Sequence, residues 1–211
     1  MIKKTVIGSV RQTLTLALLL SGSFIILEPA LGAAAGSQFT TSETVTSELS
    51  FATPASNVTL SPALGGITGG TATGQTQVVV LTNDALGYQM TIQASSSLGM
   101  IGNASSTNYI AAYVPASTIP DYTFAVNSPR GAAFGYTVAA STTGDIAKSF
   151  LNNGSACNIT SGTGNTGSGT QHCWQAATTT PYTIINRNYL TPGSGSTSTL
   201  LFQVTINANP A

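Results

Sequence analysis

The clearest pattern in the chain is a pair of short apolar runs that flank a polar connection. The runs are Gln77 to Thr82 and Tyr88 to Ala94, and the connection is Asn83-Asp84-Ala85-Leu86-Gly87. In the second run apolar and polar residues alternate, as they do when one face of a strand is buried and the other meets water. Because Asn, Asp and Gly tolerate turn geometry, the pattern predicts a β-hairpin over residues 77–94.

The same alternation recurs along most of the chain. It predicts further strands at residues 44–51, 58–60, 109–114, 122–126, 134–140, 182–190 and 200–206. Beyond the N-terminal segment, only residues 145–152 have helical spacing, and they span one or two turns. We therefore expect an all-β fold, an immunoglobulin-like antiparallel β-sandwich of about seven to nine strands with the hairpin in its middle.

Two of the predicted strands begin with the same apolar-Gly-Tyr-polar-apolar motif. It occurs at Leu86–Met90 and again at Phe134–Val138. In each case we expect the glycine to mark a close approach of another backbone and the tyrosine to fill one end of the sandwich.

The N-terminal segment has the pattern of an export signal. Basic residues come first, then a largely apolar run, then small residues that offer cleavage positions: Lys3, Lys4 and Arg11, Leu14 to Leu27, and Gly32 to Ala35. The pattern predicts a helical signal peptide over residues 1–35, followed by a single β-sandwich domain over residues 36–211. A retained membrane anchor is the alternative, and it is less favoured because the apolar run is shorter than the roughly 20 residues that span a bilayer. Cleavage of the signal peptide would leave no stable membrane span.

The chain carries very little charge. Only 6% of its residues are Asp, Glu, Lys or Arg, against about 25% in an ordinary soluble domain. There is no basic patch, so nucleic acid is not an expected partner. Disorder is the competing interpretation of such a polar composition, but 42% of the residues are apolar and they are arranged periodically, which favours a folded domain.

The two cysteines, Cys157 and Cys173, are an even pair in a chain with an export signal, and they predict a disulfide. The enclosed loop carries a Gly/Ser/Thr/Asn tract from Ser161 to Thr170, which we expect at the surface. Zinc is the weaker alternative, because two sulfurs and the single His172 supply at most three ligands in a spacing unlike the usual zinc motifs. We expect no metal site and no cofactor.

Catalytic motifs are missing from the sequence. There is no Gly-x-Ser-x-Gly elbow, no His-Glu-x-x-His helix and no Gly-x-Gly-x-x-Gly loop. His172 lies beside the predicted disulfide, which favours a non-catalytic loop histidine. Asp84, Asp121 and Asp145 occupy separate predicted turns, where turn and capping roles explain them better than a glycosidase-like carboxylate pair does. The sequence therefore predicts a protein that is not an enzyme.

Aromatic residues leave a sugar-binding hypothesis open. Trp174 is predicted to be a buried ring packed on the disulfide. In the alternative, Trp174 joins Tyr109 or Tyr113 in an exposed platform that contacts a glycan.

Several short segments together resemble exported β-sandwich surface proteins of uncultured bacteria, and more loosely WxL-type, pilin-like and spore-coat-like surface domains. They are Phe134–Val138, Leu151–Cys157, Cys173-Trp174 and Leu201–Val204. The resemblance covers most of residues 36–211 and implies a surface or matrix role by analogy. Such proteins usually continue past the strand that corresponds to 201–206 into one more strand, and here the sequence stops at Ala211. A truncated sequence and a strand supplied by another chain are the two interpretations, with residues 44–51 as the candidate donor.

Together these observations predict an exported, non-enzymatic structural protein of the cell surface or extracellular space, such as a pilus or matrix subunit. Self-assembly by strand exchange or binding to a surface glycan are the expected interactions. A carbohydrate-binding or adhesin module is the alternative function, and a secreted hydrolase is a more distant one.

Overall fold

The computed structural model describes residues 44–103, 105–117, 119–160, 162 and 172–208. The chain divides into two compact units, Met1–Thr44 and Val45–Ala211, and every element named below belongs to the second. The predicted signal peptide and its helix lie outside the described residues, as does most of the 161–170 tract.

The described residues form nine β-strands and two single-turn 3-10 helices. In chain order the strands are β1 (Leu49–Thr53), β2 (Gly70–Thr82), β3 (Tyr88–Ile92), β4 (Met100–Gly102), β5 (Ser105–Ile110), β6 (Ala132–Ala140), β7 (Gln175–Ala176), β8 (Tyr182–Arg187) and β9 (Ser196–Ile206). The 3-10 helices are Thr143–Asp145 and Lys148–Phe150. The predicted all-β class is confirmed.

The strands form three antiparallel sheets. The largest has five strands in the order β1-β2-β9-β6-β7, and two smaller sheets pair β3 with β8 and β4 with β5. The long strands β2 and β9 pair along their whole length, from Gly70 opposite Ile206 to Val80 opposite Ser196. Strand β6 pairs with the other edge of β9.

The five-stranded sheet and the β3–β8 sheet share the main hydrophobic core. Alternate residues of β2, β6 and β9 contact side chains of β3 and β8: Val78, Val80, Tyr136, Val138 and Leu200 with Tyr88, Ile184 and Ile185. The side chain of Phe150, from the second 3-10 helix, is fully buried in the same cluster. The two sheets therefore form two packed layers, and β1 contributes no side chain to this core among the described residues.

The predicted 77–94 hairpin is wrong. Its first arm lies within β2, whose two edges pair with β1 and β9, whereas its second arm forms β3 and pairs with β8. The connection is instead an arch that carries the chain from one layer to the other, closed by a hydrogen bond from the Gly87 amide to the Asp84 carbonyl. Because β9 and β1 occupy both edges of β2, no edge remains for β3.

Other boundaries also differ from the predictions. The strand predicted at 44–51 begins only at Leu49, and residues 145–152 form parts of two 3-10 turns rather than a helix. Residues 58–60 and 122–126 are not strands. Next to residues 58–60 there is an isolated bridge between Ser61 and Thr73, and next to residues 122–126 there is one between Asp121 and Trp174, rather than regular ladders.

The repeated Gly-Tyr motif has the predicted role in part: other atoms approach both glycines closely, but Gly135 lies inside β6 rather than at a strand start. A Cβ on Gly87 would lie 2.2 Å from the carbonyl oxygen of Arg187, and its φ of +74° suits glycine. A Cβ on Gly135 would lie 2.9 Å from the Cβ of Tyr113. Both following tyrosines, Tyr88 and Tyr136, are buried in the main core.

Candidate functional site: an uncharged cleft between the two layers

Strand β1 is an edge strand of the five-stranded sheet. It pairs with β2 alone, and all five of its residues are exposed. Leu49 and Phe51 are each 60% exposed although they are large and apolar. Both side chains nevertheless border the second layer, because they line a small cavity together with Tyr88 and Met90 of β3.

Strand β3 offers a second open edge. One of its edges pairs with β8, and its other edge has no strand beside it among the described residues. The outer edge of β8 is partly occupied, because Ile146 forms a bridge with Ile185 and the Ala147 amide donates to the Ile184 carbonyl. The open edge of the second layer is therefore that of β3.

A cleft of about 600 Å³ separates the β1 side of the large sheet from β3. Its lining comes from both layers and from the segment that follows β1, and it includes Phe51, Val58, Val78, Met90, Ile92, Leu200 and Phe202. No Asp, Glu, Lys, Arg or His is among the described residues that line it. A smaller cavity of about 220 Å³ continues along Leu49, Phe51 and Tyr88.

The cleft combines two features that together fit an extended peptide. Backbone N–H and C=O groups along an unpaired strand edge can bond to an added strand, and such addition is a recurring mode of peptide recognition. Apolar side chains on the floor of the cleft can accept the inward residues of that strand, which alternate along it. The absence of charge in the lining favours an uncharged occupant.

The aromatic residues of the sugar-platform hypothesis do not lie together on an open face. Tyr113 and Trp174 are 1% and 4% exposed. Both pack on Phe124, Tyr113 by stacking at a ring-centroid distance of 4.6 Å and Trp174 edge-on at 5.2 Å. Tyr109 lies elsewhere, on β5, with the guanidinium of Arg130 4.1 Å above its ring centroid.

The predicted disulfide between Cys157 and Cys173 is confirmed. Both cysteines belong to the main core, whereas Trp174 belongs to a second small cluster with Tyr113 and Ala133. Trp174 is therefore buried, as predicted, with Tyr113, Phe124 and Ala133 rather than the cysteines as its cluster neighbours.

His172 lies in a loop, and it makes structural contacts there. Its ring stacks on Tyr122 at a centroid distance of 3.8 Å, and its Nδ1 is 3.0 Å from the Tyr122 carbonyl oxygen. The His172 carbonyl accepts a hydrogen bond from the Thr137 hydroxyl at 2.6 Å. These contacts join the disulfide loop to β6 and to the 122–124 segment.

Two of the three aspartates have the local roles expected of turn residues. Asp84 Oδ1 accepts from the Leu86 amide at 2.8 Å. Asp121 Oδ2 accepts from the Tyr113 hydroxyl at 2.7 Å and from the Ala116 amide at 2.6 Å. Burial raises the pKa of the Tyr113 phenol, and the hydrogen bond to Asp121 raises it further.

Asp145 has a role that the sequence analysis missed. It is fully buried and forms an ion pair with Arg187, which is also buried. Its oxygens also accept from the Tyr189 hydroxyl at 3.0 Å and the Ser196 hydroxyl at 3.1 Å. Partial burial and the bond to Asp145 raise the pKa of Tyr189. The pairing joins residues 42 positions apart, so no local motif could have revealed it.

The described residues contain no group of three or more His, Cys, Asp or Glu side chains arranged to hold a metal ion. No helix among them is long and apolar enough to span a membrane.

Comparison of the chain with protein-family models, with curated proteins and with solved structures finds no match.

Proposed function

We propose that this chain is an exported, non-enzymatic structural protein of the cell surface or extracellular space, folded as an immunoglobulin-like β-sandwich. In this role it is a subunit of a pilus or matrix and joins other chains through added β-strands. The observation that carries the proposal is the uncharged cleft between β1 and β3, where two open strand edges border a shared apolar floor.

The proposal explains why the cleft is apolar on both sides. An edge strand normally carries charge, proline or a covering segment that prevents pairing with other chains. Neither β1 nor β3 contains a charged residue or a proline. Exposed Leu49 and Phe51 would be a liability in an isolated domain, but they are suitable contact residues in an assembly.

The predicted donor segment is wrong over residues 49–51. Residues 44–51 were the candidate donor from the sequence, but residues 49–53 pair with β2 of their own chain. The inner edge of this strand is therefore occupied, and only its outer edge is open to another molecule.

Three further observations support export. The pattern of residues 1–35 is that of a signal peptide. Disulfides such as Cys157–Cys173 persist mainly in oxidising compartments outside the cytosol. A surface with few charges depends little on ionic strength, which suits a protein that meets changing media.

The proposal is tested by expressing the tagged full-length chain in a bacterial host and separating cytoplasm, envelope and medium. We expect the chain in the envelope or medium with its disulfide formed, and ordered assemblies in electron micrographs of those fractions. Retention of reduced chain in the cytoplasm would contradict the proposal. A glycan array run on the same material tests the carbohydrate-binding alternative, which the burial of Tyr113 and Trp174 makes less attractive.

A further inference from the structure

We propose that the chain binds a sugar carboxylate, such as a uronic acid unit of an acidic polysaccharide, in a shallow pocket beside the β4–β5 sheet. The pocket has a volume of about 490 Å³. It is lined by Arg130, by Asn108 and Tyr109 of β5, and by apolar residues of β4 and β5. The inference adds a ligand to the proposed function and does not depend on the strand edges of the proposed assembly.

The observation that carries the inference is the unneutralised charge of Arg130. Its guanidinium forms no ion pair or hydrogen bond with any residue in the described part of the chain. It lies 4.1 Å from the centroid of the Tyr109 ring. A guanidinium that stacks on a ring uses its flat face, so the N–H donors around its edge stay available to an anion.

The backbone around Arg130 is held in a tight turn before β6. The Gly131 amide donates to the Ser128 carbonyl at 3.0 Å, and the Arg130 amide donates to the Ser128 hydroxyl at 3.2 Å. The Gly131 carbonyl accepts from the Asn207 amide, which follows β9, at 2.7 Å. A cation placed by such a turn and by a stacked ring loses less conformational freedom when a ligand binds.

Tyr109 is held by two sets of strand contacts. Within the small sheet it lies opposite Ile101 of β4. Just after β5, the Ala111 carbonyl accepts from the Phe134 amide at 2.8 Å, which ties this segment to β6. Because β6 also follows directly on the Arg130 turn, the ring and the guanidinium are supported by the same strand.

The charge of the pocket selects a ligand with a single negative charge. Arg130 is the only charged residue among the described residues that line it. A phosphate monoester carries about two negative charges near neutral pH, and nucleic acids need several cations along their backbone. A carboxylate carries one charge, and its two oxygens match the paired N–H donors of a guanidinium.

The other lining residues favour a carboxylate that is carried by a sugar. The side chains of Asn108 and Tyr109 form no hydrogen bond with a described residue. Both can donate and accept, as the hydroxyl groups of a sugar require. Ile101 and Ile110 line the same pocket and offer apolar surface to the C–H groups of the ring. Tyr109 is only half-buried, so its ring edge and hydroxyl can be reached.

The test compares three small ligands by NMR titration of the full chain: methyl glucuronide, methyl glucoside and N-acetylglycine. The glucuronide differs from the glucoside only in carrying a carboxylate in place of a hydroxymethyl group. We expect the glucuronide to bind at least about tenfold more tightly, because it alone of the two offers Arg130 a carboxylate. N-acetylglycine has the carboxylate of a peptide end without the sugar hydroxyls, and we expect it to bind more weakly than the glucuronide.

Substitutions assign the binding to the pocket. Arg130→Gln should weaken glucuronide binding at least about tenfold. Lys148→Gln is the matched control, since it removes an exposed cation outside the pocket and should leave binding unchanged. Arg130→Lys should restore only part of the affinity, because an ammonium keeps the charge but loses the paired donors. Arg130 and Lys148 are both exposed, and circular dichroism establishes that the variants are folded.

Several results would overturn the proposal. Equal binding of the glucuronide and the glucoside, equal weakening by Arg130→Gln and Lys148→Gln, or no saturable binding of the glucuronide would each exclude the site. N-acetylglycine that binds as tightly as the glucuronide would exclude a sugar as the ligand. None of these measurements depends on export or assembly, so their failure leaves the proposed function standing, and retention of the chain in the cytoplasm leaves the site standing.

Discussion

The guanidinium of Arg187 donates a hydrogen bond to the carboxylate of Asp145 in the interior of the protein, where both side chains are almost completely excluded from solvent. The remaining donors of Arg187 reach the carbonyl oxygens of Tyr189 and Leu190. Its guanidinium also lies 3.8 Å from the centroid of the Tyr189 ring. Through this network the first 3-10 helix, β8, the segment after it and β9 are held together at one end of the two layers.

Removing one member of this pair should strongly destabilise the fold. We expect Arg187→Met or Asp145→Leu to lower the free energy of unfolding by roughly 3–5 kcal/mol, because the remaining charge stays buried without its partner. The double variant should lose less than the sum of the two single losses. Urea unfolding measures these differences, with Lys148→Met as the control at an exposed cation. Additive losses would mean that the pair is not coupled.

The burial of Tyr136 predicts that the stability of the protein falls at alkaline pH. Its ring is buried, burial raises the pKa of its phenol, and its hydroxyl has no hydrogen-bond partner among the described residues. A pKa that is higher in the folded state leaves stability unchanged below the ordinary phenol pKa of about 10 and reduces it as the pH rises further. We expect the unfolding free energy to fall as the pH rises above about 10.

The variant Tyr136→Phe separates this residue from the other tyrosines. It removes a buried hydroxyl without a partner, so at pH 7 it should be neutral or stabilising by up to about 1 kcal/mol. Its alkaline loss of stability should be smaller than that of the parent chain. An unchanged alkaline slope in Tyr136→Phe would assign the loss to other groups.

Reduction of the disulfide should destabilise the fold without changing its topology. The bond joins cysteines 16 positions apart, and the loop-entropy model gives a stabilisation of about 3 kcal/mol for a loop of this size. We expect urea unfolding with and without dithiothreitol to differ by about that amount. A Cys157→Ser/Cys173→Ser variant should match the reduced chain and be insensitive to dithiothreitol.

Gly135 should not tolerate a side chain. A Cβ there would lie 2.9 Å from the Cβ of Tyr113 and 3.0 Å from the carbonyl oxygen of Gln175. We expect Gly135→Ala to cost about 1–3 kcal/mol through displacement of these neighbours. Gly144→Ala is the control, because a Cβ on Gly144 would meet nothing within 4 Å. Equal stability of the two variants would show that Tyr113 moves aside freely.

The strands predicted from alternation are largely present, but their partners were less predictable. Residues 134–140 and 200–206 lie within β6 and β9. In β9 buried and half-buried residues alternate over much of the strand, which is the period of two that the sequence displays. Nearly every residue of β6 is buried, so its alternation does not separate a buried face from an exposed one. The same logic failed for residues 77–94, because Asn83–Gly87 fits a hairpin turn and an arch between layers equally well. Local turn chemistry does not report which edges of β2 are already occupied.

At the candidate site, too, the sequence predicted the strand residues but not their surroundings. Leu49 and Phe51 were identified as the apolar face of a strand, yet nothing local indicates that both stay exposed at the border of a cleft. Nothing in the sequence gives a reason to pair Asp145 with Arg187. An ion pair between residues far apart in sequence leaves no pattern in either segment.

The sequence by itself determined the all-β class, the disulfide, the low charge and most strand positions, because these depend on residue type and on local periodicity. Only the tertiary structure decided that residues 77–94 cross between layers, that Asp145 pairs with Arg187, and that β1 and β3 border an open cleft. Those features depend on which strand edges meet and how far each layer extends. Edge pairing and layer width are properties of the whole assembled chain, and the free energy that selects them comes from contacts between distant residues.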